Sequence, residues 1–270
     1  MREMGKIGFY GGGNMGQAMI SGLLQSKLYI REDIFVYDAY GPSLESISKR
    51  FDVNVTHTGD ELIKKSDIII FAVKPSILSE VLEHVATVIR KDQLVVSIAA
   101  GVTIDTIIGY LGKKQKILRV MPNTPVLVGE GMSAVAANQM VTTGELDQIL
   151  AIFRSFGKAE VVSEKMMDNV TGLSGSGPAF VYMFIEALAD GAVFEGMPRE
   201  MAYEFAAQTV LGAAKMVGET KEHPGVLKDR VTSPGGTTIA GVKALETEGL
   251  RAAGIAAVCA ATKKSRELGK

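Results

Sequence analysis

Eight short runs of branched and aromatic apolar residues punctuate the first 163 residues, and this rhythm restricts the fold more than any single motif. They fall at Lys6–Tyr10, Ile34–Asp38, Val53–Thr56, Asp67–Val73, Leu94–Ala99, Ile117–Met121, Met132–Ala137 and Ala159–Val162. Helical patterns lie between most of them. Met15, Ala18, Met19, Gly22 and Leu23, and later Leu78, Val81, Leu82 and Val85, follow the spacing of a buried helix face. Strands this apolar, alternating with helices, predict a mostly parallel sheet covered on both faces. The expected fold class is therefore α/β, a doubly wound Rossmann domain spanning residues 1–163.

Beyond about Ser163 the β-rich runs stop. Alanine-, methionine- and leucine-rich stretches such as SGPAFVYMFIEALADGAVFEGM and REMAYEFAAQTVLGAAKMVGE follow, so residues 164–270 are expected to form an all-helical domain. These helices are apolar around much of their circumference, more than a lone domain of about 105 residues can cover. A homodimer, or a larger assembly of dimers, built through this all-α dimerisation domain is the expectation.

Composition narrows the partner. Of 270 residues 47% are hydrophobic and 22% charged, enough to fill proper cores. A formal net charge of -1 and a pI near 6.3, with scattered basic residues, leave no electrostatic footprint for nucleic acid or an anionic membrane. A small molecule is the expected partner. The single cysteine, Cys259, lies in the apolar run GIAAVCAA and is expected to be a buried, inert thiol. The N-terminus reaches a strand too soon for a signal segment, and no apolar stretch of about 18 residues runs without polar interruption. A cytoplasmic enzyme is expected.

The first strand runs directly into Gly11-Gly12-Gly13-Asn14-Met15-Gly16, a G-x-G-x-x-G turn that opens the first amphipathic helix. Gly11 permits the tight turn, Gly13 lets backbone approach a pyrophosphate and Gly16 allows helix to pack on strand, while N–H groups at the helix start face the anion. A nicotinamide dinucleotide is the cofactor implied. Asp38, at the end of the second strand, suits the adenosine ribose diol and points toward NADH; NADPH stays open, although Ala39, Tyr40 and Gly41 bring no arginine for a 2′-phosphate.

Later strands end in Ala72-Val73-Lys74-Pro75, Ala99-Ala100-Gly101 and Met121-Pro122-Asn123-Thr124-Pro125. Ligands of doubly wound sheets bind at such carboxyl ends, so Ala72, Val73, Lys74, Pro75, Ala100, Gly101 and Asn123 join the cofactor-binding candidates. Asn123 is expected to hydrogen-bond a carboxamide or the substrate. Lys74 either contacts the cofactor or is solvated.

Three segments of the helical part, Thr171-Gly-Leu-Ser-Gly-Ser-Gly-Pro-Ala179, His223-Pro-Gly-Val-Leu-Lys-Asp229 and Val231-Thr-Ser-Pro-Gly-Gly-Thr-Thr238, are the most informative. With AVKP, AAGVTI and MPNTP they resemble the pyrroline-5-carboxylate reductases, from Lys6 to about Leu268. The resemblance implies NAD(P)H-dependent reduction of the cyclic imine 1-pyrroline-5-carboxylate to L-proline, the last step of proline biosynthesis, and a role for Thr238 at the ring nitrogen.

The residues suit that chemistry. Imine reduction needs an oriented hydride donor, a carboxylate site and a polar group near the nitrogen, with no metal. Ser233-Pro234-Gly235-Gly236-Thr237-Thr238 opens a helix continuing through Ile239, Val242 and Leu245, and its first N–H groups are expected to hold a carboxylate. Ser233, Gly235, Gly236 and Thr237 are thus substrate-binding candidates, and Thr238 is the catalytic one. A threonine hydroxyl does not titrate near neutral pH, so its role is orientation, with the substrate entering as the protonated iminium. Ser174 to Gly177 read as a second helix cap lining the same cleft, which makes Ser176 a further candidate.

Gly59, Lys221 and Arg230 depart from the family pattern at the cofactor and substrate edges. His57, His84 and His223 lack metal spacing and read as surface or loop histidines. Glu186 and Asp190 share a helix face without an evident charged partner. The β-hydroxyacid dehydrogenases share this domain plan, but where their G-x-x-G-x-G-x-x-x-K pattern needs a lysine, this chain has Val181.

Overall fold

The computed structural model describes residues 5–268, which group into two compact units. One comprises the residues up to Ser176 together with those from Ala261 onward; the other is Gly177–Ala260. The packing boundary thus lies downstream of residue 163, where the strands end.

The first unit contains all eight expected strands, with ends displaced by no more than two residues. They are β1 (Ile7–Tyr10), β2 (Ile34–Tyr37), β3 (Asn54–Val55), β4 (Ile68–Phe71), β5 (Leu94–Ser97), β6 (Lys116–Met121), β7 (Gly131–Ala137) and β8 (Gly157–Val161). Between them lie α1 (Asn14–Gln25), α2 (Gly41–Phe51), α3 (Gly59–Lys65), α4 (Pro75–Val85), α5 (Ile104–Leu111) and α6 (Thr143–Arg154). The sheet order is β3-β2-β1-β4-β5-β6-β7-β8, parallel except that β7 runs antiparallel to β6. Ile7 of β1 pairs with Ile34 on one side and Ile68 on the other, so consecutive crossovers leave β1 in opposite directions. That reversal opens a crevice at the carboxyl ends of β1 and β4.

Strand alternation fills a core on each face. Ile7, Phe9, Ile68 and Ile70 join α1 and α6 in one cluster, while Tyr10, Ile69 and Phe71 join α3, α4 and α5 in the other. Local sequence sets the helix starts: Thr142 and Glu145 close a capping box on α6.

After β8, α7 (Met167–Val170) passes into a π-helical turn at Thr171–Gly175. The Ser176 amide and hydroxyl both donate to the Thr171 carbonyl five residues back, at 2.9 and 3.1 Å. Ser174 and Gly175 therefore end a π-helical bulge inside the helical run Glu164–Phe194, and Ser176 and Gly177 continue it into α8, in place of the cap predicted from sequence. Gly172 lies close against Thr262. Nearby, Ser265 donates to Asp168 at 2.7 Å and Arg266 to Asn169 at 3.0 Å.

The second unit holds α8 (Gly177–Phe194), α9 (Arg199–Thr220), α10 (Pro224–Arg230), α11 (Thr237–Thr247) and most of α12 (Leu250–Leu268). Its buried cluster consists of Ala189, Ala202 and Ala206, so little apolar surface is covered within one chain. Cys259 is accordingly exposed, contrary to the sequence expectation, because α12 packs on too few neighbours here to bury it. The run Glu164–Phe194 also contains a window with the length and composition of a membrane span, mean hydropathy 1.3. Asp190 does have a charged partner, Arg199, across the turn between α8 and α9.

Candidate active site

A cleft of about 830 Å³ lies at the carboxyl ends of β1, β2 and β4. Six predicted residues line it: Gly11, Gly13, Asp38, Ala72, Val73 and Lys74. Gly11 has a φ of +113°, and a Cβ there would stand 2.6 Å from the Ala72 carbonyl oxygen. Only glycine permits both the dihedral and the approach. Gly13 precedes α1 with no side-chain cap, so the first amides of that helix have no side-chain acceptor.

The turn is braced. Asp38 Oδ2 accepts from the Gly12 amide at 2.7 Å and Oδ1 from the Tyr40 amide at 2.9 Å. The Gly12 carbonyl accepts from Gln17 Nε2 at 2.8 Å and Ser43 Oγ at 3.2 Å. A carboxylate is thereby fixed beside uncapped N–H groups. This fits an adenine dinucleotide, with donors for a pyrophosphate and an acceptor for a ribose diol.

Other candidates lie outside the cleft wall. Asn14 and Met15 begin α1, and Gly16 packs so closely that a Cβ would be 2.5 Å from the Gly11 carbonyl oxygen. Pro75 takes the first position of α4, where its missing N–H is not needed. Ala100 and Gly101 form the turn after β5. The Asn123 side chain, expected to meet a ligand, is instead engaged within the protein: Oδ1 accepts from the Met132 amide at 2.8 Å, while Nδ2 faces the Ser174 carbonyl and hydroxyl at 3.2 and 3.3 Å. Its amide ties loops together, leaving little capacity for a ligand.

Sequence reasoning missed much of the wall, namely Tyr10, Tyr37 and the α4 residues Ile77, Glu80, Val81 and His84. The i, i+3, i+4, i+7 spacing of the last four marks one helix face, a signal that becomes usable once α4 is known to flank the cleft. His84 Nε2 stands 3.0 Å from Asp60 Oδ1. His223 instead caps α10, accepting from the Gly225 amide at 3.1 Å.

In the helical unit, the Gly236 amide donates to the Ser233 carbonyl at 3.1 Å, closing a turn with Pro234 and Gly235 in the middle. Gly235 has a φ of +69°, so this is the Pro-Gly turn that demands a left-handed third residue. The turn delivers the chain into α11 with Gly236 as N-cap and no side-chain cap. The amides of Thr237 and Thr238 at this exposed helix start therefore lack a side-chain acceptor, and the two threonine side chains are exposed beside them. Such a start suits a small carboxylate.

Comparison with known proteins agrees with both halves. Residues 164–268 match the family described as pyrroline-5-carboxylate reductase dimerisation, and residues 6–101 match NADP oxidoreductase, coenzyme F420-dependent. The chain is 51% identical over 265 residues to the pyrroline-5-carboxylate reductase of Escherichia coli, covering 98% of each. It is 47% identical over 268 residues to that of Methanosarcina acetivorans, covering 99% of each. The solved structure of Plasmodium falciparum pyrroline carboxylate reductase with NADP bound superposes with a TM-score of 0.90, at 36% identity and over the whole of both chains. Identity at this level along the full length, in a chain whose Rossmann sheet and helical domain each match on their own, makes it a member of the pyrroline-5-carboxylate reductase family.

Proposed function

We propose that this chain reduces 1-pyrroline-5-carboxylate to L-proline, with NADH preferred over NADPH, as the last step of proline biosynthesis. Family membership supports the reaction. The uncapped start of α11, behind the Ser233–Gly236 turn, is the observation that carries the residue roles.

In this reading residues 1–163 bind the dinucleotide, and residues 164–270 bind substrate and assemble a homodimer or a larger set of dimers in the cytoplasm. Bound with its adenosine half in the β1–β4 cleft, the dinucleotide would supply a hydride from its nicotinamide. Gly11 and Gly12, whose amides are held by the Tyr37 carbonyl and by Asp38, shape the turn, and the backbone N–H groups of Gly13 and of the start of α1 at Asn14, Met15 and Gly16 are assigned to the pyrophosphate. Ala72, Val73, Lys74 and Pro75 form one wall of that site. The small residues Ala100 and Gly101 leave backbone open to a nicotinamide ribose, and Asn123 acts by fixing its loop.

The Ser233 hydroxyl and the amides of Gly235, Gly236 and Thr237 are assigned to the substrate carboxylate, and Ser176 to the edge of its site. Thr238 accepts a hydrogen bond from the iminium N–H, holding the ring so that the carbon beside nitrogen presents one face to the hydride donor. The hydroxyl orients without exchanging its proton, since the imine arrives protonated.

Asp38 supports the cofactor preference. Two backbone amides hold its carboxylate in place, so a 2′-phosphate would meet a fixed like charge. Adding 1-pyrroline-5-carboxylate is expected to accelerate loss of NADH absorbance, and a flat trace would reject the reaction. kcat/KM should be larger with NADH than with NADPH, and Asp38→Asn should narrow the ratio by about tenfold or more, the scale of a removed like-charge contact. An unchanged ratio would reject the role of Asp38.

A further inference from the structure

Tyr10 ends β1 immediately before the glycine turn, and its ring forms part of the cleft wall although only 8% of the residue is exposed. The ring meets Tyr37 edge-on, with centroids 5.0 Å apart, and lies tilted against Phe71 at 5.6 Å. Gly59, the first residue of α3, also lies against it. A Cβ at residue 59 would stand 2.5 Å from Tyr10 Cε2 and 2.6 Å from its hydroxyl oxygen. The backbone at Gly59 is outside the left-handed region, so the glycine serves space and not conformation.

Burial, followed by the neighbouring Tyr37, Asp60 and Glu80, pushes the Tyr10 phenol up to about 12. It is a protonated donor at neutral pH, and the described residues offer it no hydrogen bond. The hydroxyl is not among the fully buried polar atoms that lack a partner, so it reaches the cleft and is free to donate to a ligand there. The cleft wall beside it carries Gly11 and Asp38, where the adenosine ribose and the pyrophosphate have been placed.

We propose that Tyr10 and Gly59 are a matched pair that reads the adenosine half of the dinucleotide. The ring floors the adenosine subsite and its O–H donates to an adenosine acceptor, while Gly59 withholds a side chain so that the ring keeps its position. This deepens the cofactor reading above and rests on it.

The test uses the full-length enzyme, with NADH binding followed by nicotinamide fluorescence and ADP as a competitor carrying only the adenosine half. Tyr10→Phe keeps the ring and is expected to raise Kd for both NADH and ADP about fivefold, one hydrogen bond's worth. Reduced nicotinamide mononucleotide, which lacks the adenosine half, should bind with unchanged affinity. Gly59→Ala should displace the ring and weaken NADH and ADP binding at least as much. In the Tyr10→Leu background, Gly59→Ala should have little further effect, because the obstructing ring is gone. Unchanged NADH and ADP affinity in Tyr10→Phe, or strictly additive effects of Gly59→Ala and Tyr10→Leu, would overturn the pair. If Gly59→Ala does not fold, Tyr10→Phe decides alone, since it adds no atoms. An unaltered NADH-to-NADPH ratio in Asp38→Asn, with the Tyr10 effects intact, would sink the NADH reading and leave the pair standing.

Discussion

At the scale of single residues, the two halves of the proposed site act by different physics. The cleft fixes charge through backbone amides, as at Asp38, whereas α11 presents open donors and a neutral hydroxyl. Thr238→Ala should therefore lower kcat by about tenfold or more with NADH Kd nearly unchanged, because a hydrogen bond that orients the reacting ring is lost while the dinucleotide cleft is untouched. Equal loss of NADH binding and turnover would argue against that role. Tyr10 also predicts a response to pH. Its phenol is raised from an ordinary value of 10.0 to about 12, so below pH 10 it is protonated in the folded and unfolded chains alike. As pH rises through that window the unfolded chain gives up the proton first, and stability falls. Burial raises Tyr29 in the same direction and adds to the effect. Thermal midpoints should thus drop across that window and drop less in Tyr10→Phe; identical slopes would refute the shift.

Among elements, the sheet was legible because its signals are local. Strands such as Ile68–Phe71 are apolar throughout, being buried on both faces, and the glycine turn announces the first β-to-α junction. What escaped the sequence depends on contacts between distant segments. The Tyr10 ring and the Ile77, Glu80, Val81 and His84 face of α4 become cleft wall only when β1 and β4 are neighbours. The Asn123 amide looked available to a ligand because its partners, Met132 and Ser174, are set by the tertiary fold. Likewise the serine- and glycine-rich stretch at Ser174–Gly177 has cap-like composition but carries the chain from the π-helical bulge Thr171–Gly175 into α8, and the fit of that bulge against α12 is not revealed by local sequence. A Cβ at Gly172 would stand 2.8 Å from the Thr262 amide nitrogen and 3.0 Å from its Cα, both backbone atoms. Gly172→Ala is therefore expected to destabilise the enzyme by about 1–3 kcal/mol through overpacking, measured by chemical denaturation. A change within experimental error would mean that the bulge yields without cost.

For the whole molecule, the main difference between sequence and structure lies in the helical unit. Its apolar faces were expected to be covered by a second subunit, and in a single chain Phe194 is 89% and Ile255 67% exposed. The exposure of Cys259 belongs with these, since its burial presupposed that cover. In analytical ultracentrifugation the enzyme should sediment as a dimer or larger, and Ile255→Glu should shift it toward monomer by placing a charge in an apolar contact. A monomeric wild type at micromolar concentration would refute assembly through these faces. The return of the residues from Ala261 onward to the first unit has a separate consequence. In chain order the helical unit interrupts the first unit, so the first unit's packing is completed only by a segment that follows all of residues 177–260. A lesion confined to residues 261–268 would therefore first remove the Ser265 bond to Asp168 and the Thr262 contact with the bulge, leaving the intervening helices intact.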